Sequence, residues 1–181
     1  LFLGLGNGAA ADGFNYNFVS ASYGTVDFDD PNVDGNGLGF GLSLAIADEF
    51  HLFGRYQGTD LGFGADGSSW SAGAGFNTPI SDVIDVVATV SYEYVEVDGP
   101  GFGSADDYGF GLSVGVRAAV SDRVEFDAAI GYADLNDGGD NTAFSAGFLF
   151  NVTDAISFGL SGSWDDDITG YSLGGRVYFG N

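Results

Sequence analysis

The chain has no cysteine, no methionine, no lysine and a single histidine in 181 residues. Without cysteine there is no disulfide framework, no thiolate metal site and no cysteine nucleophile. Its only basic residues are four arginines, against 26 Asp and Glu, for a net charge of −22. That balance excludes nucleic acid as a partner, because phosphate binding needs clustered Lys and Arg. No apolar run reaches the roughly 18 residues of a membrane-crossing helix, which excludes a helical membrane protein but not a barrel. Catalytic signatures are missing as well: there is no Gly-x-Ser-x-Gly elbow and no histidine cluster to hold a metal. The stretches "GNGLG" and "GFGADG" lie between strands, not at the opening of a helix, so they fail as nucleotide loops. Neither an enzyme nor a bound cofactor is expected.

Glycine, at 32 residues, and aromatics, at 15%, are both abundant, which is unlike a disordered acidic chain. The opening "LFLGLGNGAAADGF", with no Met before it, reads as the tail of a secretory signal cleaved near Ala11. The alternative is an extra strand or a lead-in; either way residues 1–11 precede a domain at 12–181.

Period-two alternation marks ten strands, with eight as the alternative, at about 14–27, 37–47, 50–59, 69–77, 83–95, 108–120, 123–133, 142–152, 155–164 and 170–179. The stretch "LGFGLSLAIA" (38–47) shows the pattern: Leu38, Phe40, Leu42, Leu44 and Ile46 share one face, and glycine, serine and alanine fill the other. The joints alternate in length. "ADEF", "NTPISD", "VSDR" and "VTDA" are tight, whereas "DFDDPNVDGNG", "TDLGFGADGSS", "EVDGPGFGSADD", "ADLNDGGDN" and "DDDIT" are rich in Gly and Asp. In a meander all tight turns then lie at one end and all long loops at the other, the plan of a closed antiparallel up-and-down transmembrane barrel.

Aromatics sort by height. Trp70, Tyr92, Tyr94, Tyr108, Tyr132, Trp164 and Tyr171 fall at the loop ends of the apolar face, and Phe50, Phe76, Phe126, Phe150, Phe158 and Phe179 at the turn ends. Two such rings are what interfacial girdles look like. Turned the other way, as a soluble small-ligand barrel, the same strands would offer water a nearly bare glycine face, where soluble sheets carry charge.

Arg55, Arg117, Arg123 and Arg176 fall on the small-residue face together with Asp85, Glu93, Glu125 and Asp127. The expected arrangement is a luminal network of ion pairs, since unpaired buried charge is costly; a charged constriction on an ion path is the other reading. His51, beside a tight turn, is expected as a polar lumen or rim residue. Asp27, Asp29, Asp30, Asp165, Asp166 and Asp167 are weak Ca²⁺ or Mg²⁺ candidates, in loops without a complete EF-hand pattern.

The last strand, "YSLGGRVYF", sets Ser172, Gly174, Val177 and Phe179 in a polar–x–Gly–x–x–apolar–x–aromatic order. This resembles the C-terminal insertion signal of outer-membrane barrels, with Gly180 and Asn181 trailing where such proteins more often end on the aromatic. The opening "FNYNFVSASYG" is similar to the first strand of small OmpA- and OmpX-like barrels. The resemblance implies an integral protein of the Gram-negative outer membrane, inserted by the barrel assembly machinery. It implies contact with lipid and lipopolysaccharide, and a monomer. The expected role is structural and in surface interaction through the acidic loops, where divalent cations would bind weakly; the alternatives are a narrow cation-preferring pore and the soluble small-ligand-binding barrel.

Overall fold

The computed structural model describes residues 9–10, 13–28, 34–62, 64–101 and 103–180. The proposed cleavage site near Ala11 and the lead-in 1–8 fall outside the described residues. Ala9–Ala10 pairs with Gly13–Phe14 in a two-stranded ribbon apart from the main sheet.

The main sheet is a closed barrel of ten antiparallel strands: β1 (Phe18–Phe28), β2 (Asp34–Ala47), β3 (Phe50–Gly62), β4 (Ala65–Ser81), β5 (Ile84–Gly99), β6 (Gly103–Ser121), β7 (Val124–Leu135), β8 (Gly139–Thr153), β9 (Ile156–Trp164) and β10 (Ile168–Tyr178). Every strand pairs with its sequence neighbour, and β10 closes on β1 from Ile168↔Phe28 to Tyr178↔Phe18. The number of strands and the up-and-down order agree with the alternation in the sequence. Four two-residue turns, Asp48–Glu49, Asp82–Val83, Asp122–Arg123 and Asp154–Ala155, sit at one end together with both ends of the sheet.

Two boundaries differ from the sequence reading. The first strand starts at Phe18, not at 14, because residues 15–17 leave the wall. The long joints are largely strand: β5 and β6 stay paired up to Gly99↔Gly103, where "EVDGPGFGSADD" reads as a loop. Gly101 (φ 104°) and Gly103 (φ 78°) supply the left-handed backbone for the reversal, and the Ser104 hydroxyl donates to Glu96 across the paired extension at 3.0 Å.

The register fixes the size of the bore. Stepping from strand to strand along paired residues, from Arg123 through Asn151, Arg176, Gly41, Ser71 and Gly109, leads back to β7 at Leu135. The offset along β7 is twelve residues. For ten strands at ordinary spacing this means a tilt of about 40° and a backbone radius of roughly 10 Å.

The two faces follow the parities. Leu38 (55% exposed), Phe40, Leu42, Leu44 and Ile46 point outward, while Ser43, with 2% exposure, points in. The exposed apolar belt that water would penalise is what lipid requires. Inside, the bare positions are occupied by their neighbours' side chains. A Cβ on Gly75 would fall 2.2 Å from the His51 ring, and one on Gly73 would fall 2.8 Å from the Phe53 ring. The hydroxyls of Ser20 and Ser22 lie over Gly41 and Gly39, 2.5 and 2.6 Å from where a Cβ would be. Glycine on one strand therefore lets the inward side chain of the next lie flat against the wall.

Candidate functional site

The lumen divides into a filled turn end and a cavity above it. The filling begins with the segment 13–17, which turns inward before β1. Asn15 Oδ1 accepts the Asn17 N–H at 2.8 Å, a side-chain turn that breaks the strand. Tyr16 then lies within the mouth, 8% exposed. Its ring stacks on His51 with centroids 4.7 Å apart, its hydroxyl donates to Asp85 at 2.9 Å, and its carbonyl accepts from the Ser43 hydroxyl at 2.8 Å. Asn17 Oδ1 accepts the Ala45 N–H at 2.9 Å, and the Asn17 carbonyl accepts the Phe179 N–H at 3.1 Å. The segment is thus tied to β2, β3, β5 and the chain beyond β10.

Behind it stands the charged cluster. Arg117 lies opposite Asp85 on β5 and Asp127 on β7, and it pairs with Glu125. Both are buried, at 2% and 1% exposure. Asn151 Nδ2 donates to the second oxygen of Glu125 at 2.9 Å. His51 Nδ1 is 3.1 Å from Asn77 Oδ1, and Asn77 is anchored in turn on the Asp48 carbonyl. Burying an ion pair at such a depth requires hydrogen bonds to its remaining atoms, and Asn151 provides one.

Aromatic rings carry the arginines as much as carboxylates do. The Arg117 guanidinium lies 4.0 Å from the Phe14 ring centre and 5.5 Å from that of Tyr16. Arg176 lies 4.9 Å from Phe18, and Arg55 4.5 Å from Phe53. Such contacts strengthen once the cation is out of bulk water.

The predicted network is therefore brought together in part. Arg117, Asp85, Glu125 and Asp127 converge at the turn end. Glu93 lies higher, accepting from the Ser91 hydroxyl at 2.5 Å. Arg55 departs from the expected ion pairing: among the described residues no carboxylate oxygen comes within 4.0 Å of it. Arg123 is not luminal at all. It occupies the exposed Asp122–Arg123 turn, because a two-residue turn interrupts the parity that places it inside.

The aromatic girdles take shape as ring contacts on the outer face. Trp70 stacks with Tyr94 at 5.6 Å and lies tilted against Tyr92 at 5.3 Å, Tyr92 stacks with Tyr108 at 6.1 Å, and Trp164 meets Tyr171 edge to face at 6.1 Å. At the turn end Phe50 meets Phe76 at 5.2 Å and Phe126 meets Phe148 at 5.1 Å. Phe150, Phe158 and Phe179 are exposed there, and Tyr23 and Tyr56 join the loop-end ring. In the proposed insertion signal, Ser172 and Gly174 face the lumen, and Val177 and Phe179 face out.

Of the metal candidates, Asp29 and Asp30 fall outside the described residues. Asp165 spends its carboxylate on the turn, accepting from Asp167 and Ile168 N–H at 3.0 and 2.7 Å. Among the described residues no group of three or more His, Asp or Glu is placed to hold a metal ion.

Sequence reasoning missed Phe14, Tyr16 and Phe18 as lumen fillers, whereas Tyr178 falls on the small-residue face of the last strand. "FNYNF" alternates like strand, and only its paired asparagines hint at a turn.

The comparisons agree with this geometry. The family model described as outer membrane protein beta-barrel domain matches residues 1–151, and no curated protein matches the chain in sequence. Among solved structures, the NanC porin superposes with a TM-score of 0.59 at 6% identity, covering 89% of this chain and 99% of that one. The N-terminal β-barrel domain of Pseudomonas aeruginosa OprF gives 0.51 at 10% identity, with 90% and 99% covered, and the KdgM porin 0.50 at 12%, with 89% and 99%. At these identities the likeness is one of fold alone. A lipid-facing belt bounded by aromatic rings on a closed ten-stranded wall, together with the family match over residues 1–151, removes the soluble-barrel alternative: the chain belongs to the outer-membrane protein β-barrel family and is an integral protein of the outer membrane.

Proposed function

We propose that the chain is a closed, non-conducting outer-membrane barrel that works as a membrane element and through its acidic loop end, not as a pore. The observation that carries this reading is Tyr16, which lies inside the turn-end mouth, stacked on His51 of β3 and hydrogen-bonded to Asp85 of β5. With Phe14 over Arg117 and Arg117 paired to Glu125, it leaves the narrow-pore reading without a clear path on that side. A bore of roughly 10 Å backbone radius is filled by inward side chains this large.

The surface role is supported by charge. Sixteen of the 26 acids lie in the five Gly- and Asp-rich joints, which contain no Lys or Arg. The partners this suits are outer-membrane lipid and lipopolysaccharide, reached through divalent cations held loosely at the loop end. The barrel assembly machinery is the partner for Val177 and Phe179.

Planar-bilayer recording of the purified chain tests the reading. A flat baseline is expected; discrete, cation-selective steps in the unmodified protein would overturn it in favour of the narrow pore.

A further inference from the structure

Above the plug lies a cavity of about 170 Å³, walled by Tyr16 and His51 at one end and by Gln57, Ser69 and Glu93 towards the loops. That space holds several waters. Its wall carries serines and glycines from seven strands, with the charged side chains of Arg55, Arg117, Arg176, Glu93 and Asp127 set among them. Among the described residues, no carboxylate comes within 4.0 Å of Arg55, whose side chain lines this cavity. The direct neighbours of Arg55 across the ladder are Gly41 and Ser71, and Glu93 is one strand further along the same row. Glu93 is itself engaged by the Ser91 hydroxyl.

The guanidinium is presented, not merely enclosed. Phe53, two residues earlier on the same face of β3, carries it on its ring at 4.5 Å. A guanidinium held by one face keeps its N–H donors in its plane, the direction from which a planar or tetrahedral oxyanion forms two parallel hydrogen bonds. A guanidinium inside the lumen without an anionic acceptor is costly to keep, and the contrast with Arg117, set opposite Asp85 and Asp127 and paired with Glu125, shows that this barrel has carboxylates where it neutralises an arginine.

We propose that this chamber is a binding site for a small free oxyanion, a phosphate or a carboxylate, held by Arg55 with the serine hydroxyls of the surrounding wall. Binding at Arg55 stands whether or not the barrel conducts.

Calorimetric titration of the folded protein in detergent with inorganic phosphate, and separately with acetate, tests it. One saturable site is expected for the parent. Arg55→Gln is expected to weaken it at least about tenfold, the worth of one charge-assisted hydrogen bond, and Arg55→Lys to keep part of it. Glu93→Gln, which removes the carboxylate on the same row, is expected to tighten phosphate. Arg123→Gln, in the exposed turn, leaves it unchanged. Should Arg55→Gln fail to fold, by the heat-dependent shift of gel mobility, the side-chain ¹⁵N signal of Arg55 in the parent decides the matter, moving as phosphate is added. Equal phosphate affinity in parent and Arg55→Gln, no saturable site in the parent, or an Arg55 signal indifferent to phosphate each overturns the proposal.

Discussion

The ring of Tyr16 lies on the imidazole of His51 with centroids 4.7 Å apart and planes inclined by 22°. One residue belongs to a segment that leaves the wall before the first strand, the other to the third strand, and together they roof the turn-end mouth. Because the Tyr16 hydroxyl also reaches Asp85, Tyr16→Ala removes a stack, a hydrogen bond and most of the plug volume. The expected cost is about 3 kcal/mol of stability, read as a lower urea midpoint in lipid vesicles, with small conductance steps that the parent lacks.

Arg117 and Glu125 form a pair buried to 2% and 1% exposure. Removing one partner strands the other charge, so Arg117→Gln or Glu125→Gln alone should each cost about 3–5 kcal/mol. The double substitution should cost much less than the two added together. A double-mutant cycle by urea unfolding measures that coupling; additive losses would mean that the pair is not a unit.

Gly75 is the berth of the His51 ring, 2.2 Å from the place of a Cβ. Gly75→Ala should therefore destabilise by roughly 1–3 kcal/mol through overpacking. The same substitution in a His51→Ala background should be nearly silent. An unfolding midpoint for Gly75→Ala equal to the parent's would count against the close packing.

Asp107, above the loop-end girdle, clamps the β7–β8 reversal. Its carboxylate accepts the N–H groups of Gly138 at 2.6 Å, Tyr108 at 2.7 Å and Asp137 at 3.0 Å. Partial desolvation pulls its pKa up, but the backbone donors of Gly138, Tyr108, Asp137 and Asn136 outweigh that and hold it below the ordinary 3.8. A carboxyl depressed in the folded state contributes stability above its unfolded pKa and loses it as pH falls through the folded value. Amide exchange at 137 and 138 should thus stay protected from neutral pH down to about 4 and open below that. Asp107→Asn should weaken the protection across the whole range.

Leu42 faces lipid near mid-height of β2, and Leu42→Arg should cost about 2–4 kcal/mol in a bilayer, measured by vesicle unfolding. A negligible cost would place that face away from the hydrocarbon.

Strand number, order and facing were legible because lipid imposes a strict period of two: "LGFGLSLAIA" admits no other reading. Strand ends were not, since "EVDGPGFGSADD" has poor strand propensity yet continues the ladder from its neighbours. The arginine environments were hidden for another reason. Parity tells which face a residue takes, but which carboxylate it meets depends on height, and height depends on a stagger of twelve residues distributed over ten pairings. Arg123 shows the limit in miniature, because parity does not survive a turn.

The plug is fastened to the seam. Asn17 takes its carbonyl hydrogen bond from Phe179, one residue past the pairing of Tyr178 with Phe18 that completes the cylinder. The last of the segment's ties therefore forms only when the last strand meets the first, while those to β2, β3 and β5 lie within the first half of the wall. The closing of the cylinder and the final fastening of the inward segment are thus one event in the assembly of this protein.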